Sequence, residues 1–144
     1  MSRHAPKDLV DLLANVAIFS GCTSRELTQV ADLGTSTSVK AGTTITKQGG
    51  AGREFMLIVS GTARCTIEGV EVATLNSGDS FGELALLAGQ PRTATVIADT
   101  DMDLLVLDPR EFTQLLDSAP SISQKMLVTL AGYIRSADPE SVTL

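Results

Sequence analysis

Between residues 35 and 107 the chain is broken at even intervals by glycine turn signals, and this limits the fold more than any other feature. The signals are Ala41-Gly42, Gly49-Gly50, Ser60-Gly61, Glu68-Gly69 and Ser77-Gly78-Asp79. Between and beyond them lie short segments rich in Thr, Val and Ile. These run Thr43 to Lys47, Glu54 to Val59, Ala63 to Ile67, Val70 to Leu75, Thr93 to Ala98 and Asp101 to Leu107. Short strands with regular glycine turns predict an antiparallel sandwich, barrel or jelly roll. Helical patterns flank this zone. Leu9, Leu12, Leu13, Val16 and Ala17 recur at helical spacing until Phe19-Ser20-Gly21 breaks them. Thr23 with Glu26 forms a capping box for a second helix through Leu27, Val30 and Leu33, with Ser24 as the competing cap. After the strands, Asp108-Pro109 reads as an N-cap followed by proline at the first helical position. Phe112, Leu115 and Leu116 give that helix its apolar face. Ser118 to Ser121, with Pro120, is expected to separate it from a last helix lined by Ile122, Met126, Leu130, Tyr133 and Ile134. The expectation is one domain over residues 1–144: helices over 6–33, a β-roll over 35–107 and C-terminal helices over 109–136.

Composition removes several classes of function. With 11 Lys and Arg against 17 Asp and Glu, the net charge is −6, and the sequence shows no basic run to grip a phosphate backbone. Aromatics are 3% with no Trp, which leaves little for base stacking on a single strand. Neither DNA nor RNA is expected as a partner. The single histidine, His4, cannot build a His-rich metal site or a His triad within the β-roll. A cupin-like metal enzyme ranks low for that reason. Cys22 and Cys65 have no CxxC spacing and read as reduced thiols of a cytoplasmic protein. The sequence has no apolar run that spans a bilayer. Asp8 and Asp11 interrupt the N-terminal apolar residues, so these do not read as a signal-peptide core.

One segment does not read as strand although it lies among strands: Phe81-Gly82-Glu83-Leu84-Ala85-Leu86-Leu87-Ala88-Gly89-Gln90-Pro91-Arg92-Thr93-Ala94-Thr95-Val96. Glu83 to Leu87 is strong helix-forming sequence with a glycine at either end. A one-turn helix exposes unpaired amides that suit an anion. Arg92, just beyond, can fork two hydrogen bonds onto paired phosphate oxygens. Glu83 would repel phosphate, so it should face a hydroxyl-bearing part of a ligand.

This segment resembles the phosphate-binding cassette of cyclic nucleotide-binding domains, the family of kinase regulatory subunits, cyclic nucleotide-gated channels and bacterial catabolite activators. Lys40-Ala41-Gly42, Ile45, Gln48 to Phe55, Ser60-Gly61 and the opening Val16 to Gly21 are similar to its pattern in the same order. The resemblance implies a mainly β fold, an antiparallel β-roll (double-stranded jelly roll) with N-terminal helices, a short cassette helix and C-terminal helices. It implies that Glu83 accepts a ribose 2′-hydroxyl beside the Gly82 backbone, and that Arg92 holds an exocyclic phosphate oxygen. The amides of Ala85, Leu84 and Thr93 would bind the cyclic phosphate. Cys65 and Val72 are expected against the purine. The Thr93 hydroxyl permits cGMP without requiring it, and cAMP is the favoured ligand.

Plainer readings stand beside these. Glu83 and Arg92 could form a structural ion pair, and Thr93 could be an ordinary strand residue. The glycines of Gln48 to Gly52 read as turn geometry, and Arg53 and Glu54 as a solvated charged turn. Tyr133 reads as part of an apolar stripe rather than a lid on the purine. Asp99, Asp101 and Asp103 read as a solvated turn rather than a cation site. The expected function is a non-catalytic regulatory module without cofactor. Cyclic nucleotide capture would move the C-terminal helices and so signal to an effector protein or a missing effector domain. It would be a stand-alone sensor or sink, or a domain of a longer chain. The competing readings are a ligand-free interaction domain of the same fold and a cGMP-selective sensor.

Overall fold

A computed structural model describes residues 7–137, with the side chains of residue 7 and of residues 133–137 outside that description. The expectations for His4 and Pro6 therefore lie outside the described residues, and those for the Tyr133 and Ile134 side chains outside what is described of the last helix. The chain begins with α1 (Lys7–Ala14), a 3-10 turn (Ala17–Phe19) and α2 (Ser24–Leu33). Eight strands follow: β1 (Thr35–Val39), β2 (Thr44–Thr46), β3 (Phe55–Ser60), β4 (Ala63–Ile67), β5 (Val70–Leu75), β6 (Ser80–Phe81), β7 (Thr95–Ala98) and β8 (Met102–Leu107). Helix α3 (Glu83–Ala88) is inserted between β6 and β7, and α4 (Pro109–Ser118) and α5 (Pro120–Ala137) close the order.

The strands form two four-stranded antiparallel sheets, ordered β1-β8-β3-β6 and β2-β7-β4-β5. The first sheet is covered on both faces, which explains the near-continuous apolar runs of β3 and β8. Phe55 and Leu57 of β3, with Leu105 and Leu107 of β8, pack with the helices. The alternate residues Met56, Ile58, Met102 and Leu104 pack against Ala63, Val96 and Ala98 of the second sheet. Two cores result, one between sheet and helices and one between the sheets. Phe19 and Phe55 meet edge to face at 6.0 Å in the first core, a contact worth about 1 kcal/mol beyond its buried area.

The helix caps match their sequence signatures. Thr23, not Ser24, caps α2: its side chain accepts from the Glu26 amide while Glu26 accepts from the Thr23 amide at 2.8 Å. Asp108 caps α4 in the same reciprocal way with Glu111. Only Ala119 separates α4 from α5, and Pro120 opens α5 instead of lying in a longer linker. The first helix ends at Ala14, and Ala17 belongs to the 3-10 turn that follows. Glu26 also ties α2 to α5, accepting hydrogen bonds from the Ser121 hydroxyl and the Lys125 ammonium. These bonds, led by Lys125, hold its pKa down to about 2. Asp99 pairs with Arg64, Asp101 accepts from the Ala41 amide, and Asp103 accepts from Ser38 and Ser60. The three aspartates thus serve turns and strand ends, as the sequence suggested.

Candidate functional site

Helix α3 starts where the backbone turns left-handed. Gly82 has φ +94°, and a Cβ there would lie 2.4 Å from the Glu54 carbonyl oxygen and 2.8 Å from Arg92 Nη1. Only glycine meets both demands. Gly89, also left-handed at φ 65°, closes the helix. The first intrahelical bond runs from the Leu86 amide to the Gly82 carbonyl at 3.0 Å. The amides of Glu83, Leu84 and Ala85 precede it and have no intrahelical acceptor.

Arg92 is fixed through backbone and side chain alike. Its carbonyl accepts from the Gly49 amide at 2.8 Å, and its amide donates to the Gly50 carbonyl at 3.0 Å. Its Nη1 donates to the Glu54 carbonyl at 2.8 Å, and Nη2 lies 3.4 Å from Glu54 Oε2. The side chain is 6% exposed. Burial pushes the guanidinium pKa down and the Glu54 charge opposes that effect; an arginine stays charged under such a shift. A guanidinium carries more donors than Glu54 engages. Those left over can serve an acceptor in the adjoining cavity.

Two expectations are corrected here. Glu54 is not part of a solvated charged turn: it is half-buried and pairs with Arg92, while Arg53 beside it is exposed. Gly52 is not only turn geometry, because a Cβ there would lie 3.0 Å from Arg92 Nη2. The plainer alternative of a Glu83–Arg92 ion pair is not formed, since Arg92 pairs with Glu54. Glu83 instead accepts a hydrogen bond from the Ser80 hydroxyl at 3.0 Å.

Gly82, Glu83, Leu84, Ala85, Arg92 and Thr93 all line one cavity of about 270 Å³. That is near the lower end of small-molecule sites, roughly 300 Å³ and upward. Ala85 is buried, while Leu84 is 57% exposed at the mouth. The opposite wall is the second sheet. Thr46, Val96 and Cys65 stand there with Leu75 of β5, and Phe81 of β6 lines the cavity from the first sheet. Burial pushes the Cys65 thiol pKa up, so it stays protonated and weakly polar. Val72 does not line the cavity and is 53% exposed. Cys65 pairs with Ala73, and Ala63 with Leu75, so the cavity face of β5 carries Ala73 and Leu75. Thr46 and Leu75 were missed by sequence reasoning, and strand alternation in the correct register is the signal that finds them; Phe81 opens the singled-out segment but was given no role in the site.

The comparisons agree with this geometry. The sequence profile of the family described as "Cyclic nucleotide-binding domain" matches residues 36–119. A cAMP-dependent protein kinase regulatory subunit of Yarrowia lipolytica is 41% identical over 78% of this chain and 31% of its own length. A cGMP-dependent protein kinase of Caenorhabditis briggsae is 37% identical over 81% of this chain and 16% of its own. The chain therefore spans less than a third of these curated relatives. The N-terminal domain of a Streptomyces coelicolor transcriptional regulator superposes with a TM-score of 0.85 at 20% identity, over 93% of this chain and 99% of its own. That likeness concerns the fold alone. Two packed sheets, an interrupting helix and a profile match over most of the chain lead to one assignment: this chain belongs to the cyclic nucleotide-binding domain family.

Proposed function

We propose that this chain is a non-catalytic regulatory module that binds a cyclic nucleotide, with cAMP favoured over cGMP. The observation that carries the reading is Arg92. It is a buried, pre-positioned cation at the wall of a small cavity, beside three open helix amides and the Glu83 carboxylate. A cyclic phosphodiester carries one negative charge, which one guanidinium and oriented amides can balance. Glu83 would accept a ribose 2′-hydroxyl, with the Gly82 backbone beside it. The amides of Leu84, Ala85 and Thr93 would complete the phosphate contacts, and no cofactor is needed.

The output is a population shift. Leu86 of α3 packs in the same core as Leu115, Ile122 and Met126 of α4 and α5. Drawing α3 toward a phosphate therefore alters the seat of both helices, which would act on an effector protein or an attached domain. No helix among the described residues is long and apolar enough to cross a membrane. The proposed setting is cytoplasmic, with neither nucleic acid nor membrane as a partner.

Glu54 favours one rival reading, a ligand-free interaction domain, because it already gives Arg92 a partner. Calorimetric titration with cAMP and cGMP, on wild type and Arg92→Ala, separates the two. Micromolar or tighter binding that Arg92→Ala abolishes supports the sensor. No heat with either nucleotide on folded, nucleotide-free protein supports the interaction domain.

A further inference from the structure

Thr46 is 6% exposed and lines the cavity on β2. It pairs across the sheet with Val96 of β7, and Val96 pairs with Cys65 of β4. Directly opposed residues present their side chains on one face of a sheet. The three form a single row on the cavity wall, in which Thr46 supplies the hydroxyl. Val96 lies four residues from Arg92, at most ~14 Å of chain. Arg92 and this row line the same cavity, so a ligand anchored by its anion at Arg92 and filling the cavity would meet the row.

The Thr46 proton already has a place. Its Oγ1 donates to the Ala94 carbonyl at 3.3 Å, bridging the stretch where the β2–β7 register shifts. A carbonyl cannot donate, so the direction of this bond is fixed. The remaining lone pairs can only accept. Adenine carries an exocyclic amino donor where guanine and hypoxanthine carry a carbonyl acceptor. We infer that Thr46 is a specificity-determining residue, accepting from the exocyclic amine of adenine and so selecting cAMP. This rests on the cyclic nucleotide reading above. A 6-carbonyl purine in the same place meets a lone pair, or forces the hydroxyl to leave Ala94.

The test titrates wild type, Thr46→Val, Thr46→Ser and Arg92→Ala with cAMP and with cyclic IMP. Cyclic IMP exchanges the amine for a carbonyl and lacks the guanine 2-amino group, so Thr93 does not confuse the comparison. Wild type is expected to prefer cAMP by about tenfold, the scale of one hydrogen bond. Thr46→Val should remove most of that preference by weakening cAMP about five- to tenfold while sparing cyclic IMP. Thr46→Ser should restore it. Equal affinity of wild type for both nucleotides overturns the inference without any variant. So does an equal loss for both in Thr46→Val, which would make the hydroxyl a repair of the strand pairing only. Nucleotide binding that is absent from wild type, or intact in Arg92→Ala, instead defeats the cyclic nucleotide reading itself.

Discussion

Glu26 and Arg92 are the two charged residues buried among the described residues, and they are used in opposite ways. Glu26 accepts from its own helix cap, from Ser121 and from Lys125, so its chain supplies donors on every side. Arg92 has a single partner residue, and its contact with the Glu54 carboxylate is long at 3.4 Å. A buried charge surrounded by partners from its own chain fastens elements together. A buried charge with donors to spare, set at a cavity, is available to something from outside. The first kind should govern stability and the second affinity.

The sharpest way to break this contrast is Arg92→Ala. It should weaken cAMP binding at least about 100-fold, since two charge-assisted bonds to phosphate are lost at about 1.5 kcal/mol or more each. Calorimetry reads the affinity and a thermal melt should move little. A large fall in Tm with binding retained would reverse the assignment of roles.

Glu26→Gln should do the opposite, lowering stability by about 3 kcal/mol and leaving affinity per folded molecule within about twofold. The drop in its pKa from an ordinary 4.5 to about 2 sets a ceiling of about 3.5 kcal/mol at about 1.4 kcal/mol per pH unit, which solvent around the partly exposed Lys125 reduces. Because this pKa is depressed, the stabilisation is complete above about pH 4.5 and disappears as pH falls through about 2. Urea melts of wild type and Glu26→Gln should therefore keep a constant gap from pH 7 to about 5 and converge below that. A gap that widens on acidification would contradict the assignment.

Two smaller effects refine the affinity side. Glu83→Ala should cost about tenfold in cAMP affinity, the value of one hydrogen bond to a charged acceptor, with little change in Tm. Thr93→Ala should weaken cGMP by a few fold, on the order of one neutral hydrogen bond, and leave cAMP unchanged. An equal loss for both nucleotides would make Thr93 an ordinary strand residue.

The contrast also explains what the sequence made legible. Cassette residues Gly82 to Ala85 with Arg92 and Thr93 are close in the chain, and local propensity with glycine punctuation brings them together. Glu54 was misread because its role depends on a contact 38 residues away. Strand β1 carried no alternating apolar signal in Thr35–Val39, and it is held by pairing with β8. β6 is two residues long, too short for any periodicity. Val72 failed because adjacency in sequence does not fix which face of a strand meets a cavity; pairing partners do. Pro120 was read as a spacer, yet proline at a helix start lacks only an amide that would be unpaired anyway.

The single residue between α4 and α5 has a mechanical consequence. With only Ala119 between them, α5 can act as a lever arm pivoting close to its base. Its 18 residues extend about 27 Å at ~1.5 Å per residue. The Glu26 contacts with Ser121 and Lys125 grip it within its first two turns, near the fulcrum. A rotation of about 10° there carries the far tip nearly 5 Å on that ~27 Å arm, while the grip itself shifts by a fraction of that distance. Under the proposed function, a small event in the cavity would be magnified at the distal end of α5, where a listener would have the most displacement to detect.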